Sequence, residues 1–306
     1  MKHNIKITAL LVLIFLLAQF VGLVVINRYI DISASKESKT TQWKPLPFNF
    51  ERPDVPNKSI SFIPLMIGLL IGTGLFFLLA KFNNPFILKI WFFVVILITL
   101  TFSFNAFTTP WTAGIVALTL TLYRVFKPNL IVHNFTEIFI YGGLAAFIVP
   151  IFNIFGGIVL LILISIYDAI AVWKTKHMVT LAEFQKKSKI FAGLMISYDR
   201  NEPKPGKQLE KQTETKHPTK IISKQTSAIL GGGDIGFPLI FAGIVMKSMM
   251  LTETMTITFL KTSIIPITTA IALLLLLTKG KKDKYYPAMP FLSAGSILGY
   301  IIILLI

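Results

Sequence analysis

Long apolar runs alternate along the chain with polar or basic connections, and nine of the runs read as membrane-spanning helices. They cover roughly 5–26, 60–80, 86–105, 110–126, 132–150, 154–173, 227–250, 257–277 and 286–306. A helix of ~20 apolar residues crosses a hydrocarbon core of ~30 Å. Lys2 and Lys6 precede the first run as they would in a secretory leader. Its apolar stretch is longer than the ~7–15 residues of a leader's core, so a retained helix is expected. The fourth run is short and opens at Pro110, which makes it the weakest of the nine.

Composition fits this pattern. Hydrophobic residues make up 54% of the chain and charged residues 14%, against about 25% charged in soluble domains. The fold class expected is therefore an all-α polytopic membrane protein. Cysteine is absent, which removes disulfides, thiolate metal sites and cysteine nucleophiles. The four histidines, His3, His133, His177 and His217, are too scattered for a metal cluster. No metal and no cofactor are expected. The net charge of +16 lies in loops flanking apolar runs. That placement fits anionic lipid head groups and control of topology, and nucleic acid is not expected as a partner.

Charge also orients the chain. With the N-terminus in the cytoplasm, the inside segments and span edges hold 22 of the 30 Lys and Arg. The outside holds eight: Arg28, Lys36, Lys39, Lys44, Arg52, Lys58, Lys247 and Lys261. Nine spans with the N-terminus inside and the C-terminus outside obey the positive-inside rule. An even number would misplace either the Lys279–Lys284 cluster or the long basic loop.

Three parts follow: a six-helix membrane part over 1–173, a basic loop over 174–226, and a three-helix part over 227–306. The loop carries twelve Lys and Arg with little hydrophobic content, so it is expected to be flexible and cytoplasmic. It holds no long apolar stretch, and an uncut chain is expected. The proline-broken stretch "KPLPFNFERPDVP" makes 27–59 an irregular outer loop.

Two carboxylates interrupt the apolar pattern: Asp168 in "SIYDAIAVW" and Asp234 in "LGGGDIGFPLIF". An aspartate at the centre of a spanning helix costs roughly 2.5–3.5 kcal/mol on insertion scales. No Lys or Arg lies deep in either run, and Lys247 sits more than three turns beyond Asp234. Asp168 lies five residues before the inner end at Trp173, and Asp234 seven after the inner start at Ser227. At a 1.5 Å rise these depths are about 7–8 and 10 Å, so neighbouring helices would bring the carboxylates together. Two such groups in a low dielectric cannot both ionise cheaply and tend to share one proton. One member can then accept a proton from water while the other hydrogen-bonds a scissile carbonyl. The glycines Gly231, Gly232 and Gly233 offer a bare backbone that another chain can approach, or simply close helix packing.

Tyr167-Asp168, then Gly231-x-Gly233-Asp234 after a long loop, resemble the YD and GxGD motifs of the presenilin and signal peptide peptidase family. That family comprises intramembrane aspartyl proteases with nine helices. Its third motif, Pro-Ala-Leu, is matched by Pro287, Ala288 and Met289 at the start of the last run, with methionine in place of leucine. The compact chain, lysine-rich loops and lack of cysteine look most like the archaeal homologues. The resemblance implies that Asp168 and Asp234 are the catalytic pair, and that Pro287, Ala288 and Met289 line the site and hold the substrate backbone. It further implies transmembrane-helix or signal-peptide substrates that unwind before cleavage, and a home in the bilayer of a prokaryotic cell membrane, with a homo-oligomer left open. An unwound substrate could pair with a strand, and "KIISKQTSAI" before the seventh run offers β-branched residues for that purpose.

Other polar residues admit blander readings. The Tyr167 hydroxyl either reaches the site or packs elsewhere. Glu137 and His133 open the fifth run and are expected to be interfacial, as are Lys247 and Lys261. Gln19 and Asn105 are expected as interhelical partners or helix-end residues, and Trp43, Trp91, Trp111 and Trp173 as belt residues. The competing function is a proton- or cation-coupled transporter or channel, since intramembrane carboxylates also mark ion pathways. Transporters usually carry repeats and midplane sites. Here the first half has no matching glycine-broken run, and both aspartates sit near one face.

Overall fold

Backbone groups in lipid have no water to bond, so an apolar run satisfies itself by coiling into helix. Helix forms in each of the nine runs. The computed structural model describes residues 5–81, 85–174, 191–199, 225–280 and 286–306. Its helices are α1 (Ile5–Tyr29), α2 (Ile32–Ser38), α3 (Phe62–Lys81), α4 (Pro85–Asn105), α5 (Pro110–Phe126) and α6 (Leu130–Ile148). They continue with α7 (Ile154–Trp173), α8 (Gly232–Met249), α9 (Met255–Thr262), α10 (Ile264–Lys279) and α11 (Met289–Leu305). Five stretches are long and apolar enough to cross a membrane: Ile5–Tyr29, Phe86–Asn105, Leu130–Ile151, Ile154–Trp173 and Met255–Lys279. The last of these comprises α9 and α10, which meet at Ser263 shortly before Pro266, whose ring cannot donate to the preceding turn.

Side-chain caps set two of the starts. Asn129 accepts from the Ile131 amide at the head of α6, and Asn153 from the Gly156 amide at the head of α7. Each satisfies one of the N–H groups that a helix start leaves without a partner.

Helix α8 is the centre of the bundle, packing against α1, α6, α7, α10 and α11. From Ile235 to Met246 nearly every residue is buried, as expected of a helix apolar on all sides. Gln19 of α1 reaches it, donating to the Ile235 carbonyl at 2.7 Å. Asn105 also bonds between helices, donating to the Tyr29 hydroxyl at 3.1 Å. Outward faces remain apolar, with Leu13, Ile71, Trp91, Ile115 and Leu298 all exposed, a surface suited to lipid rather than water.

Four expectations need correction. The seventh run does not begin as helix: β4 (Gln225–Gly231) pairs antiparallel with β3 (Gly193–Asp199), in register from Gly193 opposite Gly231 to Asp199 opposite Gln225. A short apolar run does not distinguish strand from helix, and Thr226 and Ile229 favour the strand. Consequently α8 starts at Gly232, and part of the basic loop is ordered as β3. Most of that loop, with Ile221 and Ile222, lies outside the described residues.

The connection over 27–59 is more regular than an irregular loop. Strands β1 (Ile30–Asp31) and β2 (Gln42–Trp43) pair around α2. Arg52 stacks over Tyr29 and Trp43 and donates to the Lys44 carbonyl at 3.0 Å.

Lys247 is not interfacial. It is 8% exposed, and its ammonium donates to the carbonyls of Val149, Pro150 and Phe152. The chain between α6 and α7 is not α-helical there: the Val149 carbonyl also accepts from the Phe152 amide at 3.3 Å, and those of Pro150 and Phe152 are left to the ammonium.

Glu137 is not interfacial either, whereas His133 stays partly exposed. Glu137 is 1% exposed, in an ion pair with Arg124 of α5, which is buried as well. His133 meets the Gly193 carbonyl at 2.8 Å. Lys261, by contrast, is partly exposed and pairs with Glu253 at 2.7 Å.

Candidate active site

Three helix ends converge on the two aspartates. Asp168 is 4% exposed, one and a half turns before the end of α7. Its Oδ2 accepts from the Met289 amide at 3.0 Å, and the Ala288 amide donates to it as well. These are the first free N–H groups of α11, because Pro287 and Pro290 on either side have none. A carboxylate at a helix start meets both unpaired donors and the positive end of the helix dipole.

Asp234 stands in the first turn of α8, half-buried. The Gly231 amide donates to it, and the charge of Asp168 acts on it across the space between α7 and α8. The two carboxylates are therefore near enough to interact, Asp168 against the start of α11 and Asp234 in the first turn of α8. Asp234 holds its place only three residues into α8 because the strand β4 delivers the chain to that point.

The remaining motif residues divide by role. Tyr167 is half-buried, with no hydrogen bond from its hydroxyl among the described residues. Pro287 and Met289 are buried beside Asp168, and the contact from Met289 is made by backbone. Methionine in place of leucine leaves that bond intact. Gly232 is required by close approach: a Cβ there would lie 2.8 Å from the Tyr141 hydroxyl. Gly233 is exposed, and an added Cβ would meet nothing nearer than Phe237 at 3.4 Å.

Sequence reasoning missed what supports this loop. Arg124 donates to Thr136 at 2.7 Å and to Glu137, which also accepts from the Tyr141 hydroxyl. Arg124 donates further to the Phe191 carbonyl at 3.2 Å. The neighbouring Ala192 carbonyl accepts from the Gly232 amide at 3.1 Å. Asn134 and Met195 exchange two bonds, 2.7 and 3.0 Å long. Opposite charges at matching ends of two successive helices were the available signal.

Among the described residues no three His, Asp or Glu side chains converge as metal ligands. What the arrangement can do chemically rests on the two interacting carboxylates, since such a pair can hold one proton between its members and polarise a water.

The comparisons agree with this fold. Two crystal forms of a presenilin family intramembrane aspartate protease share the fold. In the C222 form the TM-score is 0.61 at 19% identity, over 96% of this chain and 97% of that one. In the P2 form it is 0.57 at 19% identity, over 96% of each. None of the curated proteins matches the chain. The family model described as signal-peptide peptidase, presenilin aspartyl protease matches residues 21–306. With its apolar helices, this makes the chain an integral membrane protein. It belongs to the signal-peptide peptidase and presenilin family of aspartyl proteases.

Proposed function

We propose that the chain hydrolyses peptide bonds within transmembrane segments of membrane proteins or signal peptides, with Asp168 and Asp234 as the catalytic pair. The observation that carries this reading is the convergence of both carboxylates at the starts of α8 and α11, close enough for one charge to act on the other. In the shared-proton state the ionised aspartate takes a proton from water, whose oxygen attacks the scissile carbonyl carbon. The protonated aspartate hydrogen-bonds the carbonyl oxygen as negative charge develops on it. Collapse of the tetrahedral intermediate breaks the C–N bond, and the amine leaves with a proton returned by the pair.

Nine spans with the N-terminus inside place both carboxylates near the cytoplasmic face, where a hydrated cavity supplies the water. The chain then divides as a six-helix part with Asp168, a basic loop, and a C-terminal part with Asp234 and Pro287, Ala288 and Met289. Its setting is the cell membrane of a prokaryote, of archaeal type.

An intact transmembrane helix shields its carbonyls, so the substrate unwinds before cleavage. The extended segment then pairs with β4, which among the described residues has a partner on one edge only. Backbone pairing of that kind gives affinity with little demand on side chains. Gly233 leaves room for the incoming backbone, and Met289 and Ala288 wall the other side.

The test is incubation of a single-pass transmembrane peptide with the purified protein in detergent, with products read by mass spectrometry. Cleavage within the apolar span supports the reading. Intact peptide, together with proton or cation flux in liposomes, favours the transporter instead.

A further inference from the structure

The stripe His133, Glu137 and Tyr141 on α6 recurs every four residues, so the three side chains share one face of that helix. His133 meets the Gly193 carbonyl of β3 and Tyr141 reaches the start of α8, with Glu137 between them on the stripe. The Tyr141 ring and hydroxyl lie against Gly232 and Gly236, with the hydroxyl 2.8 Å from the position a Gly232 Cβ would take. That hydroxyl is held by Glu137, and Glu137 by Arg124. Arg124 also holds the Phe191 carbonyl, one residue from the carbonyl that accepts the Gly232 amide. The chain of bonds thus grips the Gly231–Asp234 loop from two sides: through Tyr141 directly, and through Phe191 and Ala192.

A buried ion pair is a poor source of stability, since apolar residues of similar volume do as well or better. What such a pair supplies is a fixed geometry, provided every polar atom is satisfied. Both guanidinium nitrogens and both Glu137 oxygens that enter this network have partners. None of these side chains bonds to Asp234 or Asp168, so the network lies behind the site rather than in it.

We propose that Arg124, Glu137 and Tyr141 are positioning residues, which set Asp234 against Asp168 by fixing the loop at the head of α8. The proposal rests on the proteolytic reading of the aspartate pair. It predicts that loosening the loop lowers turnover while leaving substrate affinity in place, because misplacement of a reacting group by about 1 Å costs up to ~10²-fold in rate.

Tyr141→Phe is the least disruptive variant, removing the hydroxyl and keeping the ring. Its kcat is expected to fall about ten- to a hundred-fold with KM within about two-fold. Amide hydrogen exchange in a peptide spanning 225–236 is expected to quicken, while exchange in α1 and α4 stays as in the wild type. Glu137→Gln, which keeps the shape and loses the charge, is expected to do the same if it folds. Wild-type turnover with wild-type exchange at 225–236 in Tyr141→Phe would overturn the proposal. So would quickened exchange across all helices, which marks general destabilisation. Wild-type protein that cleaves nothing, run alongside Asp168→Ala, would count against the proteolytic reading. In that event local exchange at 225–236 decides whether these residues hold the loop.

Discussion

The backbone amide of Met289 donates a 3.0 Å hydrogen bond to Oδ2 of Asp168, joining the start of α11 to a carboxylate on α7. Two motifs that lie 121 residues apart in the chain are one structural unit. The bond belongs to the peptide group, so the side chain at 289 contributes packing and the amide contributes charge stabilisation.

Met289→Leu is therefore expected to cleave within about two-fold of wild type, since volume-conserving core exchanges cost under ~1.5 kcal/mol. Met289→Pro removes the donor and is expected to lose at least ten-fold in turnover, a bond to a charged group contributing about 1.5–3 kcal/mol. Initial rates on one transmembrane peptide check both.

Glycines 232 and 233 are expected to fail differently. Gly232→Ala drives a methyl into the Tyr141 hydroxyl at 2.8 Å, and overpacking of this kind costs about 1–3 kcal/mol. Its melting temperature should fall. Gly233→Ala meets only ordinary contact at 3.4 Å, so its melting temperature should hold while cleavage declines, if the substrate enters on that side as proposed. Thermal unfolding in detergent, followed beside cleavage, separates the two.

Lys247 binds three carbonyls between α6 and α7 and lies far along α8 from Asp234. Lys247→Met is expected to cost about 1–3 kcal/mol by leaving buried acceptors without a donor. The turnover of the folded fraction should match the wild type. Chemical denaturation with active-site titration measures each quantity.

A pair that works with one proton between its members is active only in that state. Acid protonates both carboxyls and removes the base; alkali ionises both and removes the acid. The rate is expected to be bell-shaped in pH, with the two limbs belonging to the pair rather than to either residue. A single-limbed profile over the range in which the protein stays folded would contradict the shared proton.

Much of the site was legible because lone charges in apolar runs are costly. Asp168 and Asp234 stood out for that reason, and the depth argument brought them to one face. The supporting groups did not stand out. Glu137 sits near the end of its run and looked like an interfacial residue, because its partner Arg124 lies on another helix beyond the turn. Lys247 looked interfacial because its partners are carbonyls, which have no letter in a sequence. The start of α8 was set five residues too early because the apolar letters of "SAILG" suit strand and helix alike. Only pairing with β3 decides it, and β3 lies within the basic loop that composition marked as flexible.

The central claim is that Asp168 and Asp234 are one catalytic unit, and single and double variants test it most directly. Asp168→Asn, Asp234→Asn and the double variant should be compared with the wild type for cleavage of a transmembrane peptide, at matched folded concentration. Each single variant is expected to lose all measurable cleavage, and the double to lose no more, as for residues that act together. Cleavage that survives either single substitution would contradict the account.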